Sequence, residues 1–306
     1  MKPFKESNKL LNDSSKLRKQ LRDDGYLFFR GIIPKNEILQ LRLQILEICQ
    51  EAGWLRPDAK LMDGLTDHAP LLEGEDKYND VYARVQALES FHRLKFNKDI
   101  ISLMESIFQE PVFPFPQTIG RMAFPNDNTR KTPPHQDWIF VGGSTETISC
   151  LAPLGDIPIE VGGLKILAGS HNAGFLEPRV ALGPGQRTVD IDPSLEWVQS
   201  GYQAGDLLMF KMLTIHGAAP NLTSDVIRLS TEFRYTGESH MIAEDWLLPH
   251  GLDMDLTWEL LEKDWSDSSI AHYWERWDNL KIKKHEWFWE QSKYDPVQAR
   301  AMTKNE

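Results

Sequence analysis

Pro133-Pro134-His135-Gln136-Asp137-Trp138 is the stretch whose reading decides the fold and the chemistry. His135 and Asp137 stand two residues apart. On a β-strand that spacing points both side chains to one face. An imidazole and a carboxylate so placed are two thirds of a 2-His-1-carboxylate iron site. The rest of the chain must then offer a second histidine, a cation for an organic acid and a scaffold that gathers them.

The segment from His216 to Ser230 meets the first two demands. His216-Gly217-Ala218-Ala219-Pro220-Asn221 follows a strand and turns into Arg228-Leu229-Ser230 on the next one. A planar guanidinium bonds both oxygens of a carboxylate at once. Ser230, two residues along on the same face, adds a hydroxyl donor. An iron(II) oxygenase needs open coordination positions for a 2-oxo acid and for O₂, and a cation for the acid's far carboxylate. His135, Asp137, His216 and Arg228 meet that specification in chain order. His68, His92, His240, His250, His272 and His285 lack a partner at ligand spacing and read as structural or exposed.

Around these residues the pattern is mainly β with flanking helices. Residues 1–22 read as a polar arm, frayed or helical, and 23–31 as a short strand entered and left through glycines. Pro34, then Ile38, Leu41, Ile45 and Ile48 at spacings of three and four, then Gly53, predict an amphipathic helix. Residues 54–80 read as a long loop, and 90–108 as a second helix ended by Pro111. From 112 onward short stretches such as 112–122, 145–154, 162–167, 207–211 and 226–235 alternate with Gly, Pro and Asp turns. They predict a β-sandwich or barrel-like double sheet, interrupted by a loop-rich segment at 172–204. After 240 the chain reads as helical, with seven of its ten tryptophans; Lys281–His285 reads as a solvated helix face. The tryptophans are expected to pack on the outside of the sheet. One domain over 1–306 is expected: N-terminal elements at 1–110, a core at 111–236 and a Trp-rich extension at 237–306.

Composition narrows the partners. The 306 residues carry 45 acidic and 34 basic side chains, a formal charge of −11. That field disfavours nucleic acid or an anionic membrane as the main partner and leaves a small molecule. Cys49 and Cys150 sit in apolar contexts and read as buried thiols. No secretory leader or membrane-spanning run is visible, so a cytoplasmic protein is expected, monomeric or homodimeric.

Five ordered stretches resemble the phytanoyl-CoA dioxygenase-like (PhyH) family of Fe(II)/2-oxoglutarate oxygenases. They are Asp24-Gly25-Tyr26 with Gly31, Pro134–Trp138, Gly162-Gly163-Leu164 with Gly169-Ser170-His171, Gly205–Phe210, and His216…Asn221…Arg228-Leu229-Ser230. Ala168 departs from the proline common before that G-S-H turn. The resemblance implies a double-stranded β-helix (jelly-roll, cupin-like) core. It implies His135, Asp137 and His216 as iron ligands and Arg228 on 2-oxoglutarate. By position it also brings Gln117 and Thr147 towards 2-oxoglutarate, and it makes His171 a structural hydrogen-bonder. The implied reaction hydroxylates an unactivated C–H of a small organic metabolite with O₂, while 2-oxoglutarate becomes succinate and CO₂. Aspartate at 137, where a small residue would open a halide position, favours hydroxylation over halogenation. An acyl-CoA or carrier-bound substrate, a zinc hydrolase or isomerase, and a non-catalytic jelly-roll binder are the competing readings. The irregular stretches 54–80 and 172–204 are expected to surround the mouth of the site.

Overall fold

The computed structural model describes residues 1–126, 131–251 and 254–284. Two antiparallel sheets face one another. The larger runs Tyr26–Phe29, Leu207–Lys211, Ile148–Pro153, Arg228–Gly237 and Val112–Pro114, and Ile119–Ala123 also pairs with the long strand Arg228–Gly237. The smaller runs His216–Ala219, Gly163–Leu167 and Trp197–Val198. Helices cover the outer face of the large sheet. This is the jelly-roll that the sequence resemblance implied.

Strand periodicity explains the layering. Leu27, Phe29, Leu207, Met209, Cys150, Leu229, Phe233 and Tyr235 point outward, into one core with Leu17, Ile38, Leu41, Ile45, Leu103 and Met104 of the helices. Their neighbours Tyr26, Phe28, Leu208, Phe210 and Leu151 point inward against Leu164, Ile166 and Tyr202. A strand buried on both faces need not alternate in polarity, which is why Tyr26–Phe29 is wholly apolar. Phe28 is fully buried, and truncating such a side chain to alanine costs about 3–5 kcal/mol.

The helix Lys35–Glu51 presents the predicted face, with Ile38, Leu41, Ile45 and Ile48 buried. Other expectations change. The stretch 90–108 is two helices, Glu89–Arg93 and Lys98–Phe108, because Asn97 accepts from the Asp99 and Ile100 amides and caps a new start. Residues 54–80 contain the 3-10 turn Leu61–Asp63 and the beginning of the helix Asp76–Gln86. Beyond 240 the described chain is mostly irregular rather than helical. It holds one α-helix, Trp258–Glu262, and Lys281–Lys283 is a strand paired in parallel with Met241–Ala243, not a helix face. Tertiary pairing overrode local pattern there. Trp246 and Trp277 pack with Phe113, Phe115 and Tyr273, and Trp246 covers Arg234 on the inner face of the large sheet rather than its outside as expected, because the guanidinium there offers the indole ring a cation. His285, Trp287 and Trp289 lie outside the described residues. Both cysteines are free and buried.

Candidate active site

The two histidines meet through their backbones. His135 and His216 form an antiparallel bridge, His135 N–H to His216 C=O at 2.9 Å and the reverse at 3.0 Å, with ring centroids 4.3 Å apart. Each imidazole Nδ1 lies against the carbonyl two residues before it, Pro133 O at 2.8 Å and Thr214 O at 2.9 Å. A carbonyl only accepts, so the proton sits on Nδ1 and Nε2 keeps its lone pair.

Asp137 does not lie on a strand. It has helical φ/ψ of −60° and −30° and starts the short helix Trp138–Val141 without capping it. The same-face argument from strand spacing is therefore corrected: the turn at Asp137, not β pleating, brings the carboxylate round. Its Oδ1 stands 3.4 Å from Nε2 of both histidines. One ligand atom from each of the three residues lies within 4.8 Å of the others, and all three are buried. Two neutral nitrogens and one carboxylate oxygen on one side of a point form the donor set of the non-haem Fe(II) facial triad.

Burial alone would raise the Asp137 carboxyl; the Arg234 guanidinium, the largest opposing influence, outweighs it and holds the group well below the usual carboxylate range. Arg234 Nη2 donates to Oδ2 at 2.8 Å, and Ser149 Oγ donates to the same oxygen. The sequence reading missed both residues. The available signal was period two: Arg234 lies six residues beyond Arg228 on one strand, hence on the same face.

At the other end of that face lies a pocket lined by Arg228, Ser230, Glu232, Arg121, Thr132 and Tyr202. Arg228 is buried; among the described residues its Nε has no hydrogen-bond partner, and Nη1 makes one long contact with Ala219 O at 3.4 Å. Burial pushes its affinity for its proton below the ordinary value. Glu232 is turned to Arg121, 3.6 Å away. An under-partnered buried guanidinium is costly, and a carboxylate entering the pocket would satisfy it. The donor set of this pocket thus suits one carboxylate group.

The positional candidates fall elsewhere. Gln117 donates to Leu248 O at 3.1 Å and does not line the Arg228 pocket. Thr147 is buried with its hydroxyl unpartnered, one step past Ser149 and away from Arg228 along the sheet. The G-S-H turn braces the scaffold: Ser170 Oγ accepts from Ile215 N at 2.8 Å, and His171 Nε2 lies 2.9 Å from Arg22 O. Gly25, at φ +79°, leaves no room for a Cβ, which would fall 2.4 Å from His171 Nδ1. The first and third motifs thus lock together behind the strand that carries His216.

The model of the phytanoyl-CoA dioxygenase (PhyH) family matches residues 21–230. The chain belongs to that family. It is an oxygenase working with iron and 2-oxoglutarate, and the His135–Asp137–His216 cluster is chemically suited to that metal. The 1-deoxypentalenic acid 11-beta-hydroxylase of Streptomyces arenae is 24% identical over 246 residues, 76% of this chain and 84% of that one. Its counterpart from Streptomyces exfoliatus is 25% identical over 247 residues, covering 74% and 82%. Among solved structures, apo ThoJ, a non-heme monooxygenase, matches with a TM-score of 0.54 at 18% identity over 86% of this chain and 97% of that one. Iron-bound EctD from S. alaskensis matches with a TM-score of 0.51 at 13% identity over 89% and 88%. These structures share the fold. No helix among the described residues is long and apolar enough to cross a membrane.

Proposed function

We propose that this oxygenase hydroxylates an unactivated C–H bond of a small organic metabolite: R–H, O₂ and 2-oxoglutarate become R–OH, succinate and CO₂. One observation carries the reading. Three ligand atoms converge at one point, and an under-partnered Arg228 on the facing sheet lines a pocket with Ala218 of the His216 strand, as a bidentate 2-oxo acid with a distant carboxylate requires. The named activity of the Streptomyces relatives supports hydroxylation as the outcome.

In this reading His135, His216 and Asp137 Oδ1 hold the iron. When bound, iron and 2-oxoglutarate supply the O₂-activating chemistry. The chain's residues do the rest. Pro133 O and Thr214 O fix the imidazole tautomers. Arg228, with Ser230, holds the distal carboxylate of 2-oxoglutarate. Phe210, whose ring is 4.4 Å from that of His216, and Phe140, 5.5 Å from that of His135, exclude water. The irregular segments flank the site. Thr66 N bonds Asp225 O, and Val189 N and Thr188 Oγ1 bond Pro134 O, so residues 54–75 and 172–204 are the elements that shape substrate choice. Residues 1–306 act as one catalytic domain. The two free, buried thiols support a cytoplasmic setting.

The test is succinate formation coupled to substrate. Wild-type protein with Fe(II), 2-oxoglutarate and O₂ should release succinate in step with a hydroxylated product from a small-molecule panel. Asp137→Ala should abolish it while circular dichroism remains native. Undiminished turnover in that variant rejects the assignment.

A further inference from the structure

We propose that Arg234 is a positioning residue for the metal carboxylate, held in place by Trp246 of the C-terminal extension. The proposal rests on the iron-site reading above. It concerns residues past the family match, which ends at Ser230.

The two oxygens of Asp137 have separate surroundings. Oδ1 faces both histidine Nε2 atoms at 3.4 Å. Oδ2 faces away and receives Arg234 Nη2 at 2.8 Å and the Ser149 hydroxyl. Arg234 and Ser149 stand directly opposite each other on adjacent antiparallel strands, so the sheet register sets both donors on one oxygen. With Oδ2 occupied twice, the carboxylate cannot rotate to offer both oxygens, and Oδ1 alone is presented to a metal. A carboxylate that binds through one oxygen leaves more of the metal's positions open, as a bidentate co-substrate and O₂ require.

The guanidinium is itself fixed. Its carbon lies 4.5 Å from the centroid of the Trp246 ring, a cation–π stack, and the Trp246 indole N–H reaches Phe140 O at 3.3 Å. Phe140 in turn packs edge-on against His135 at 5.5 Å. Arg234, Trp246, Phe140 and His135 thus close a ring around the triad, tying the extension beyond 240 to the ligands. Arg234 Nε and Nη1 are buried without hydrogen-bond partners. A side chain chosen only for stability would not leave two donors unsatisfied. Among the described residues, the hydrogen bond its side chain makes is to the metal carboxylate.

The discriminating measurement is Co(II) binding to the metal-free protein, followed by visible absorption, with thermal unfolding measured before metal is added. Outer-shell partners of a metal ligand are commonly worth about 10–100-fold in metal affinity. Arg234→Met should weaken Co(II) binding by that range, and Arg234→Lys should recover part of it. The metal-free unfolding midpoint is expected to fall because Asp137 loses its buried partner, and it serves to show that the variant is folded when metal is added. A purely structural role predicts Co(II) affinity within twofold of wild type in the folded variant, which overturns the proposal. Should Arg234→Met fail to fold, Ser149→Ala decides through the second bond to Oδ2. A loss of about threefold or more in Co(II) affinity supports the clamp, and no change overturns it. Wild-type protein that takes up no Co(II) would refute the iron-site reading itself. Equal binding by wild type and variant refutes only the role of Arg234.

Discussion

The two ends of the strand Arg228–Gly237 carry the same side chain in opposite conditions. Arg228 lines an inner pocket with its fork nearly unpartnered. Arg234, three pleats further on the same face, is committed to Asp137 and stacked on Trp246. Both are buried, and both would be expensive if left alone. The difference shows how one strand can serve two purposes. One arginine is committed within the fold to the carboxylate of the triad. The other leaves its fork open in a pocket, where the proposed function puts a carboxylate that the fold does not supply.

The largest effect that sharpens this contrast is at its shared focus. Asp137→Ala removes the oxygen that the clamp presents, and turnover should vanish with Co(II) binding, read by succinate release and absorption. At the open end, Arg228→Met removes a charge-assisted contact worth about 1.5–3 kcal/mol, so the apparent Kd for 2-oxoglutarate should rise roughly 10–150-fold. Co(II) affinity without 2-oxoglutarate should stay near wild type, the mirror image of Arg234→Met. If both variants moved both constants alike, the two ends would not be functionally separate.

Acid should act on buried histidines rather than on the guanidiniums. Burial pushes His250 down to about 4 and His92 well below the ordinary histidine value of 6.5. Between pH 6.5 and about 4 the unfolded chain takes up protons that these folded histidines refuse, so stability must fall as pH is lowered through that window. For His250 the span corresponds to at most about 3 kcal/mol. Urea midpoints at pH 7.5 and pH 5 should show the drop, and His250→Gln should flatten it; an equal slope in that variant would place the pH dependence elsewhere. The smallest effect is expected at Thr147, which lies past Ser149 on the side away from Arg228. Thr147→Val should change the Kd for 2-oxoglutarate by less than about twofold, within the range of about 0.5 kcal/mol typical of neutral sites. A tenfold change would return Thr147 to the co-substrate pocket.

Local chemistry by itself determined much of this protein. The ligand types, their order and the arginine after the second histidine are properties of residue identity, so His135, Asp137, His216 and Arg228 were legible as a set. Amphipathic spacing likewise marked Lys35–Glu51, and glycine and proline marked the turns of the sheets. Tertiary structure decided what depends on contacts distant in sequence. Asp137 reaches the histidines through a helical turn that strand spacing did not foresee. Lys281–Lys283 pairs with Met241–Ala243 across about forty residues, against its helical look. Arg234 acquired its role only when Ser149 came opposite it and Trp246 folded over it. The physical reason is one of range: a side chain's chemistry travels with the residue, whereas its partner is chosen by the register of sheets and the packing of a tail.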